Sequence, residues 1–403
     1  MSGRAKRGRA PLPPLYGDLR RWGLIEADSL KLLTALPDAS VDAVVTDPPY
    51  GLNFKHEGWD GGSLASGEGF QAFTTAWANE LRRVLKPGAY LAAFGASRTA
   101  HRLVAGVEDA GLEVRDQLLW LYGSGVPKSR RLPGGLGSAL KPMYEPILLA
   151  RRPFAPTTPA TLDNVARHGT GALNIDATRI GRSATEPNTC GFWPPNVALS
   201  HEPGCGQTTC RSECAVRLID QIDARERQPG SPPFSRLFYA AKTSRAEREA
   251  GCDQLEACVS LIFSRGSGTP KARANRHPTV KPIDLMRWIV RLVVPPGGVV
   301  LDPFAGSGST GIAAVLEGRQ FVGIEREAEY VQIARARLGH WSAVADAERG
   351  VNAHRRQRAG LDGPAAGGRS SSSFCLPPMP SNPRRCLRND EGPSDVRAHQ
   401  RAR

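Results

Sequence analysis

The chain has 403 residues, of which 40% are hydrophobic and 23% are charged, and its formal net charge is +14. Eight cysteines in this length do not make a disulfide scaffold, and no apolar run approaches the ~20 residues that span a bilayer. The basic start of the chain lacks an apolar segment behind it, so we expect a cytoplasmic protein without a secretory signal. A charge of this sign favours a polyanionic partner.

Short apolar runs alternate with helical patterns in the first part of the chain, which predicts βαβ units and a parallel sheet. The predicted strands lie at 24–28, Val41–Thr46, 90–94, 118–122 and 146–150, and the predicted helices at 29–36, 73–85 and 99–110. From about 151 to 275 this rhythm fails, because Gly, Pro, Ser and Arg are frequent. It returns with helices at 283–292, 309–317 and 327–338 and with strands at 299–301 and 320–324.

These changes of composition divide the chain into five segments. We predict a basic disordered N-terminus at 1–21, an α/β half at 22–150, a loop-rich insertion at 151–275, a second α/β half at 276–344 and a disordered basic tail at 345–403. Two basic clusters, at 128–152 and 265–291, lie in Gly- and Pro-rich stretches. Such stretches are typical of loops that follow phosphates.

The strand at Val41–Thr46 continues directly into Asp47, Pro48, Pro49 and Tyr50. Pro48 has no backbone donor and fixes φ at about −65°, so the strand must end there. Asp47 and Tyr50 are thereby presented at the carboxyl edge of the sheet, where open α/β folds bind ligands. A carboxylate, a proline carbonyl and a flat ring suit a planar group with an amino substituent. The alternative is a proline turn with a surface aspartate.

A glycine turn follows the strand at 299–301, and it contains Asp302, Phe304, Gly306 and Gly308. Glycines allow the backbone to approach a ligand closely. An acid about 20 residues beyond such a turn binds ribose hydroxyls. Glu325 ends the next strand, 19 residues beyond Gly306. The pattern predicts a site for a nucleoside-containing ligand, with a packing role for the glycines as the alternative.

The spacing Gly306-x-Gly308-x-x-Gly311 also matches the dinucleotide fingerprint, so a nucleotide-cofactor oxidoreductase is a rival interpretation. Asp302 opposes it, because a carboxylate in this turn repels pyrophosphate and attracts a cationic ligand. S-adenosylmethionine offers an adenosine to Glu325 and a positively charged amino-acid end in place of phosphates. Hydride transfer also gives the Asp-Pro-Pro-Tyr motif no role.

Together the two motifs resemble the β-class amino-methyltransferases of DNA, which make N6-methyladenine or N4-methylcytosine. The Asp-Pro-Pro-Tyr motif precedes the glycine turn as in that family, and His-Pro-Thr-Val-Lys-Pro at 277–282 matches its pattern. The resemblance covers about 22–150 and 270–340. Similarity to the phage- and prophage-associated branch is carried by segments at 120–129, 169–176 and 238–242.

The resemblance implies a fold. It is a circularly permuted, doubly wound, mostly parallel α/β sheet of the S-adenosylmethionine-dependent methyltransferase type, with a loop-rich insertion. The strands at 299–301 and 320–324 would lie beside those ending at Asp28 and Asp47. In this interpretation the first α/β half is catalytic, the second binds the cofactor, and the insertion recognises the target.

The resemblance also implies roles for individual residues. Asp47, Pro48, Pro49 and Tyr50 would hold and stack a base flipped out of double-stranded DNA. The residues implied to contact S-adenosylmethionine are Asp302, Phe304, Gly306 and Gly308 at the turn, Glu325 at the ribose, Asp28 at the adenine, and Thr279 and Lys281 at the methionine end. The expected reaction is site-specific methylation of an exocyclic amine, with adenine N6 favoured over cytosine N4.

Several alternatives stay open. The same pocket suits an amino-methyltransferase acting on RNA or protein, and a non-catalytic DNA-binding module or the oxidoreductase is a further reading. Methylation at cytosine C5 is disfavoured, since it needs a nucleophilic cysteine, typically after a proline, and no Pro-Cys pair occurs. The sequence identifies neither the recognition site nor a cognate restriction endonuclease, and it leaves a homodimer open.

Four candidate zinc ligands lie close together in the insertion, at His201, Cys205, Cys210 and Cys214. Structural zinc commonly has a Cys3His ligand set. The spacings differ, however, from the usual Cys-x2-Cys knuckle, and intracellular cysteines are often merely buried. We therefore favour ordinary loop cysteines and keep a structural zinc as the alternative. Methyl transfer from a sulfonium needs no metal.

Overall fold

The computed structural model describes residues 21–53, 59–122, 132–158, 160–179, 193–200, 242–259 and 272–358, and the single positions 212, 214, 217 and 221. By its internal contacts the chain divides into two units, Met1–Arg349 and Gly350–Arg403. The described part of the second unit is the end of one helix.

The first unit is built on a mixed sheet that has eight strands among the described residues. These strands are β1 (Trp22–Glu26), β2 (Val41–Thr46), β3 (Leu85–Phe94), β4 (Glu113–Tyr122), β5 (Tyr144–Arg151), β6 (Val197–Ser200), β9 (Val299–Asp302) and β10 (Gln320–Glu325). A separate antiparallel pair is formed by β7 (Cys258–Val259) and β8 (Ala272–Arg273).

Helices cover both faces of the sheet. They are α1 (Ser29–Leu33), α2 (Gly67–Val84), α3 (Ala100–Asp109), α4 (Thr161–His168), α5 (Ile175–Thr178), α6 (Arg245–Glu249), α7 (Ile283–Val293), α8 (Ser309–Leu316) and α9 (Ala328–Arg358). Short 3-10 helices lie at Gly62–Ala65 and Pro133–Gly135. None of the helices in the described part of the chain has the length and apolar character needed to cross a bilayer.

The strand order is β1-β10-β9-β2-β3-β5-β4-β6, and β5 runs antiparallel to both of its neighbours. The late strands β9 and β10 lie between the early strands β1 and β2 and run parallel to them. Ile25 pairs with Ile324, and Val44 pairs with Leu301. The predicted circularly permuted, mostly parallel α/β sheet is therefore confirmed, including the placement of the late strands.

Strand β2 lies in the middle of this sheet, and all six of its residues are buried. Ala43 and Val45 pack in the core that contains α7, α8 and α9, whereas Val44 packs in the core that contains α1, α2 and α3. Burial on both faces explains the run of apolar and β-branched residues, which Asp42 interrupts. Pro48 then ends the strand as predicted, so its carboxyl end is fixed at the sheet edge.

The structure contains elements that the sequence pattern did not indicate. Strand β6 adds a short edge strand beside β4, although its four residues lie in the Gly- and Pro-rich insertion. Helix α9 continues to Arg358, past the point where we expected disorder to begin. Its Ala345 is buried, and Asp346 pairs with Arg21 beside β1. Residues 359–403 and 1–20 lie outside the described part of the chain.

Asp42 is a buried acid at the start of β2, and it generates a test of the fold. Its Oδ2 accepts a hydrogen bond from the backbone N of Val299 at 2.7 Å, and its Oδ1 lies 2.5 Å from Lys86 Nζ. We expect Asp42→Asn to lower the free energy of unfolding by ~1–3 kcal/mol, because a buried charge-assisted bond is weakened. Urea unfolding measures the change.

The matched control is Asp38→Asn. Asp38 also pairs with a cation, Arg83, but its side chain is 76% exposed. Exposed ion pairs contribute at most about 1 kcal/mol, so this variant should unfold nearly as the parent protein does. Equal losses of stability in the two variants would contradict the structural role given to Asp42.

Candidate active site

A cavity of 1320 Å³ opens where the carboxyl ends of β1, β2, β9 and β10 meet. Because β5 is antiparallel, its first residues, Tyr144 and Glu145, reach the same edge. The predicted site residues that line this cavity are Asp28, Asp47, Pro48, Pro49, Tyr50, Thr279, Lys281, Asp302, Phe304, Gly306 and Glu325. The fold thus brings residues from both ends of the chain to one place.

Gly308 is the predicted site residue that does not line the cavity. Its backbone is left-handed, with φ at +79°, and it is the N-cap of α8. A Cβ built on it would lie 3.2 Å from Ala334 Cβ of α9. The structure therefore uses Gly308 to turn the chain into α8 under close packing.

The turn after β2 is held from both sides. The hydroxyl of Tyr50 donates to Asp47 Oδ1 at 2.6 Å. The backbone N atoms of Tyr50 and Gly51 donate to Asp60 Oδ1 at 2.8 and 2.6 Å, and Thr99 Oγ1 donates to the Tyr50 carbonyl at 2.8 Å. These bonds fix both the aspartate and the aromatic ring at the cavity wall.

Lys281 lies against this turn and not only near the cofactor side of the cavity. Its Nζ is 2.5 Å from Asp47 Oδ2, 3.3 Å from Glu145 Oε2 and 3.2 Å from the Tyr50 hydroxyl oxygen. Only 6% of its side chain is exposed. The family resemblance implied a role at the methionine end for Lys281, and no motif indicated its contact with Asp47.

Burial governs the protonation of this group. It raises the pKa of Asp47; the Lys281 ammonium opposes that rise, and Glu145 adds to it. Burial disfavours the Lys281 ammonium, but the two carboxylates outweigh this effect and raise the pKa of Lys281. Burial, with help from Asp47 and Glu145, raises the pKa of Tyr50 well above its usual value. Tyr50 is thus a phenol at neutral pH, and Lys281 is an ammonium.

Asp302 sits at the end of β9, beside the end of β2. Its Oδ1 accepts hydrogen bonds from Thr46 Oγ1 at 2.7 Å and from the Phe304 backbone N at 3.0 Å. Its Oδ2 accepts one from Thr310 Oγ1 at 2.6 Å. Burial raises the pKa of Asp302 to about 7, although these three donors lower it in part. The carboxyl group therefore joins β2, the glycine turn and α8.

Glu325, at the end of β10, supports the glycine turn directly. Its Oε2 accepts a hydrogen bond from the Gly306 backbone N at 2.7 Å, and its Oε1 accepts one from the Glu327 backbone N at 2.9 Å. Each carboxylate oxygen has two lone-pair sites, so each can accept a further bond from a ligand hydroxyl. Gly306 has φ at +51°, and a Cβ there would lie 2.5 Å from His277 Nε2.

An aromatic wall borders the same end of the cavity. The Phe304 ring centroid lies 5.9 Å from that of Phe73 and 6.0 Å from that of Trp77, both in α2. Trp77 is fully buried, so it holds the Phe304 ring in place. Asp28, the N-cap of α1, lines the cavity nearby. A planar ring could pack on Phe304 while its amino group meets an acid.

The described side chains that line the cavity include more acids than cations. The acids are Asp28, Asp47, Asp60, Glu145, Asp302, Glu325 and Glu327, and the cations are Arg98, Lys242, Lys281 and Arg326. An acidic lining attracts a cationic ligand and repels a pyrophosphate. S-adenosylmethionine fits these residues: Glu325 suits its ribose, Phe304 its adenine, and the acidic lining its sulfonium. The same lining does not suit a dinucleotide.

A protein-family model matches the part of the chain that forms most of this cavity. The model of the N6_N4_Mtase family, described as DNA methylase, matches residues 41–336. The chain belongs to this DNA methylase family. The match begins at β2 and ends in α9, so it includes the Asp-Pro-Pro-Tyr motif, the glycine turn and the segment between them. The resemblance to DNA amino-methyltransferases is confirmed, and the phage-associated branch stays a prediction.

Individual relatives are methyltransferases as well. Type II methyltransferase M.HindIII of Haemophilus influenzae is 23% identical over 365 residues, which is 78% of this chain and 94% of that protein. Type II methyltransferase M2.DpnII of Streptococcus pneumoniae is 48% identical over 75 residues, 18% of this chain and 28% of that protein. Among solved structures, the cytosine-N4-specific PvuII DNA methyltransferase aligns with a TM-score of 0.48 and 17% identity over 79% of this chain and 86% of that one.

Glu145 and Asp60 contribute to the candidate site but were not predicted from the sequence. Glu145 is the single acid in the basic cluster at 128–152, which was its one signal, and the antiparallel direction of β5 was not evident. Asp60 carries no local motif and acts through backbone N atoms of the turn. His277 also lines the cavity, and its ring packs at 4.6 Å, centroid to centroid, against Tyr330.

The zinc alternative lies mostly beyond what the structure describes. His201, Cys205 and Cys210 lie outside the described residues, and Cys214 is buried. The described residues contain no group of three or more side chains able to hold a metal ion. A zinc site in the insertion therefore stays a prediction.

His277 generates a prediction about acid stability. Burial, with Lys281, Arg248 and Arg337 nearby, lowers the pKa of His277 from 6.5 to about 3. Between these values the unfolded chain binds a proton that the folded chain excludes, so stability falls as pH falls from 6.5 towards 3. We expect His277→Phe to lose less unfolding free energy than the parent protein when the pH drops from 7 to 5.

The measurement is urea unfolding at both pH values. His101→Phe, at an exposed position of α3, is the matched control, and it should lose as much stability as the parent protein. A His277→Phe protein that loses the same free energy as the control on acidification would contradict the neutral state assigned to His277 in the cavity wall.

Proposed function

We propose that this DNA methylase transfers the methyl group of S-adenosylmethionine to the exocyclic amine of a base flipped out of double-stranded DNA. Adenine N6 is the favoured target over cytosine N4. One observation supports this above all: the Asp47–Tyr50 pair and the Glu325–Gly306 pair face the same cavity from β2 and β10, with β9 between them.

The family uses S-adenosylmethionine, which supplies an electrophilic methyl group on a positively charged sulfur. On the protein side, Glu325 accepts hydrogen bonds from the ribose hydroxyls while it holds the Gly306 backbone. Phe304 packs on the adenine, and Asp28 meets its edge. Asp302 keeps the glycine turn in register with the end of β2, so the methyl group is directed at the base site.

On the base side, the target must leave the duplex because its amine is otherwise out of reach. Asp47 and the Pro48 carbonyl accept hydrogen bonds from the amino group, which keeps its lone pair available and directed. Tyr50 stacks on the base, an interaction worth ~1–3 kcal/mol. Adenine is favoured because its two-ring system offers Tyr50 more stacking area than a pyrimidine.

The reaction then depends mainly on positioning. The amine nitrogen forms a bond to the methyl carbon as the carbon–sulfur bond breaks and its electron pair stays on sulfur. The methylated nitrogen carries a positive charge until it loses one proton, for which ionised Asp47 is the nearest acceptor. The residues named here supply acceptors, stacking and exclusion of water, and none needs to act as a nucleophile.

The DNA-binding regions are proposed from sequence and location. Two basic clusters, at 128–152 and 265–291, contain the cavity residues Glu145 and Lys281. Their positive charge suits the phosphates of DNA. The insertion at 151–275 is proposed to recognise the target. Because M.HindIII and M2.DpnII are named Type II methyltransferases, a role in restriction-modification is proposed for this chain too.

The proposal predicts opposite defects in the two halves of the site. Asp47→Ala and Tyr50→Ala should lower methyl transfer on the order of 100-fold or more while leaving affinity for S-adenosylhomocysteine nearly unchanged. Glu325→Ala should weaken that affinity by about 10- to 100-fold, because it removes charge-assisted hydrogen bonds. Transfer is measured with tritiated S-adenosylmethionine on unmethylated DNA, and affinity by calorimetry.

Asp116→Ala, at an exposed acid on β4 outside the cavity, is the control and should match the parent protein. Digestion of the labelled DNA to nucleosides separates N6-methyladenine from N4-methylcytosine. Cofactor affinity that falls as far as transfer in both the Asp47 and Tyr50 variants would refute the division of the site. Label on RNA or protein in place of DNA would refute the substrate.

A further inference from the structure

Both carboxylate oxygens of Asp47 are already bonded to donors of the chain itself. Oδ1 accepts from the Tyr50 hydroxyl at 2.6 Å, and Oδ2 accepts from Lys281 Nζ at 2.5 Å. The proposed reaction needs one of these oxygens to accept the amino group of the base. Each oxygen has a second lone-pair site, but the Lys281 ammonium and the Tyr50 hydroxyl both line the cavity and compete with the amino group for this carboxylate.

Of the two donors, Lys281 has a second carboxylate within reach, that of Glu145. Its Nζ also lies 3.3 Å from Glu145 Oε2, on the start of β5. The ammonium is confined on its other sides by the rings of Phe94 and Tyr50, whose centroids lie 4.9 and 5.5 Å away. A small displacement moves it from one carboxylate to the other without exposing the charge to solvent.

Tyr50 is less suited to leave. Its backbone is fixed by Asp60 and Thr99, and its hydroxyl is 3.4 Å from Glu145 Oε2, the oxygen already nearest the ammonium. Its ring is also the surface on which the base stacks. Displacing the phenol would therefore remove the stacking platform at the moment it is needed.

We propose that Lys281 is a positioning residue whose ammonium occupies Oδ2 of Asp47 until the amino group of the target base enters, and that Glu145 then receives the ammonium. The inference rests on the proposed methyl transfer. It gives Glu145, which no motif marks, a defined part in base binding. In the absence of the base, the Lys281 ammonium thus occupies the position on Asp47 that the amino group takes later.

The charges around Asp47 explain why a cation is kept there. Two carboxylates that are mostly buried disfavour each other's ionisation, and a protonated Asp47 could not accept both amino hydrogens. An ammonium between them keeps Asp47 an acceptor before the base arrives and after. The ionisable groups around this pair are Tyr50 on the turn, Tyr122 beside Glu145, Lys242 over the Tyr122 ring, Asp302 on β9 and His277 before α7.

The two residues should shift the pH dependence of transfer in opposite directions. Lys281 lowers the pKa of Asp47, so Lys281→Gln should move the acid limb of the rate to higher pH. Glu145 raises the pKa of Asp47, so Glu145→Gln should move that limb to lower pH. The Glu145 variant should also have a lower maximal rate, because the ammonium stays on Asp47 and competes with the base.

The experiment measures single-turnover methyl transfer to unmethylated DNA from pH 5 to 9, together with affinity for S-adenosylhomocysteine. Lys281→Arg keeps a cation and should return the acid limb towards that of the parent protein. The matched control is Glu113→Gln: Glu113 pairs with Arg151 at 2.5 Å on the same sheet, outside the cavity, and its limb should not move.

The possible outcomes separate the two levels of the proposal. No transfer by the soluble, cofactor-binding parent protein refutes the proposed function itself. Transfer by the parent protein, with acid limbs of the Lys281 and Glu145 variants that coincide with the Glu113 control or move in the same direction, refutes the ammonium exchange. If Lys281→Gln does not fold, Lys281→Arg and Glu145→Gln still decide, since the exchange requires a lower maximal rate in the Glu145 variant than in the Glu113 control.

Discussion

One buried carboxyl group joins the parts of this site that lie far apart in the chain. Asp302 accepts hydrogen bonds from Thr46, 256 residues earlier, and from Thr310 in the first turn of α8. Thr46 directly precedes Asp47, and Thr310 follows the glycine turn. The Asp302 carboxyl therefore sets the distance between the residues proposed to hold the base and those proposed to hold the cofactor.

This junction allows two halves that are far apart along the chain to form one site. The cavity needs the carboxyl ends of β1, β10, β9 and β2 side by side, and hydrogen bonding between strands supplies that order. A buried acid without partners would cost ~1–3 kcal/mol or more, but three donors satisfy Asp302. The same group thus contributes stability and keeps the two halves in register.

The elements with strong local sequence patterns could be predicted. The apolar and β-branched residues of 41–46, followed by Asp47 and two prolines, predicted β2 and its end. The glycine turn with Glu325 predicted a nucleoside site between β9 and β10. The sheet order came from the resemblance to a permuted family, because no local pattern states which strands are neighbours. Helix α9 is longer than predicted, and strand β6 was not predicted. In both places propensity and tertiary packing outweigh a polar, loop-like composition.

Local sequence patterns could not predict the contacts among Asp47, Tyr50, Glu145 and Lys281. Lys281 and Asp47 are 234 residues apart, and Tyr50 and Glu145 are 95 apart, so their contacts depend on the completed sheet. Glu145 reaches the site because β5 runs against its neighbours, a direction that its apolar residues do not encode. The motif thus supplies the carboxylate that is proposed to accept the base amine, and the tertiary fold supplies the charges around it.

One cavity is proposed to hold the cofactor against Glu325 and to present its reactive end to Asp47. The most direct test is the position of S-adenosylhomocysteine in crystals of the protein grown with it. We predict ribose hydroxyls within hydrogen-bonding distance of Glu325, the adenine packed on Phe304, and the sulfur facing the Asp47–Tyr50 turn. A ligand bound elsewhere, or one whose sulfur points away from Asp47, would contradict the arrangement.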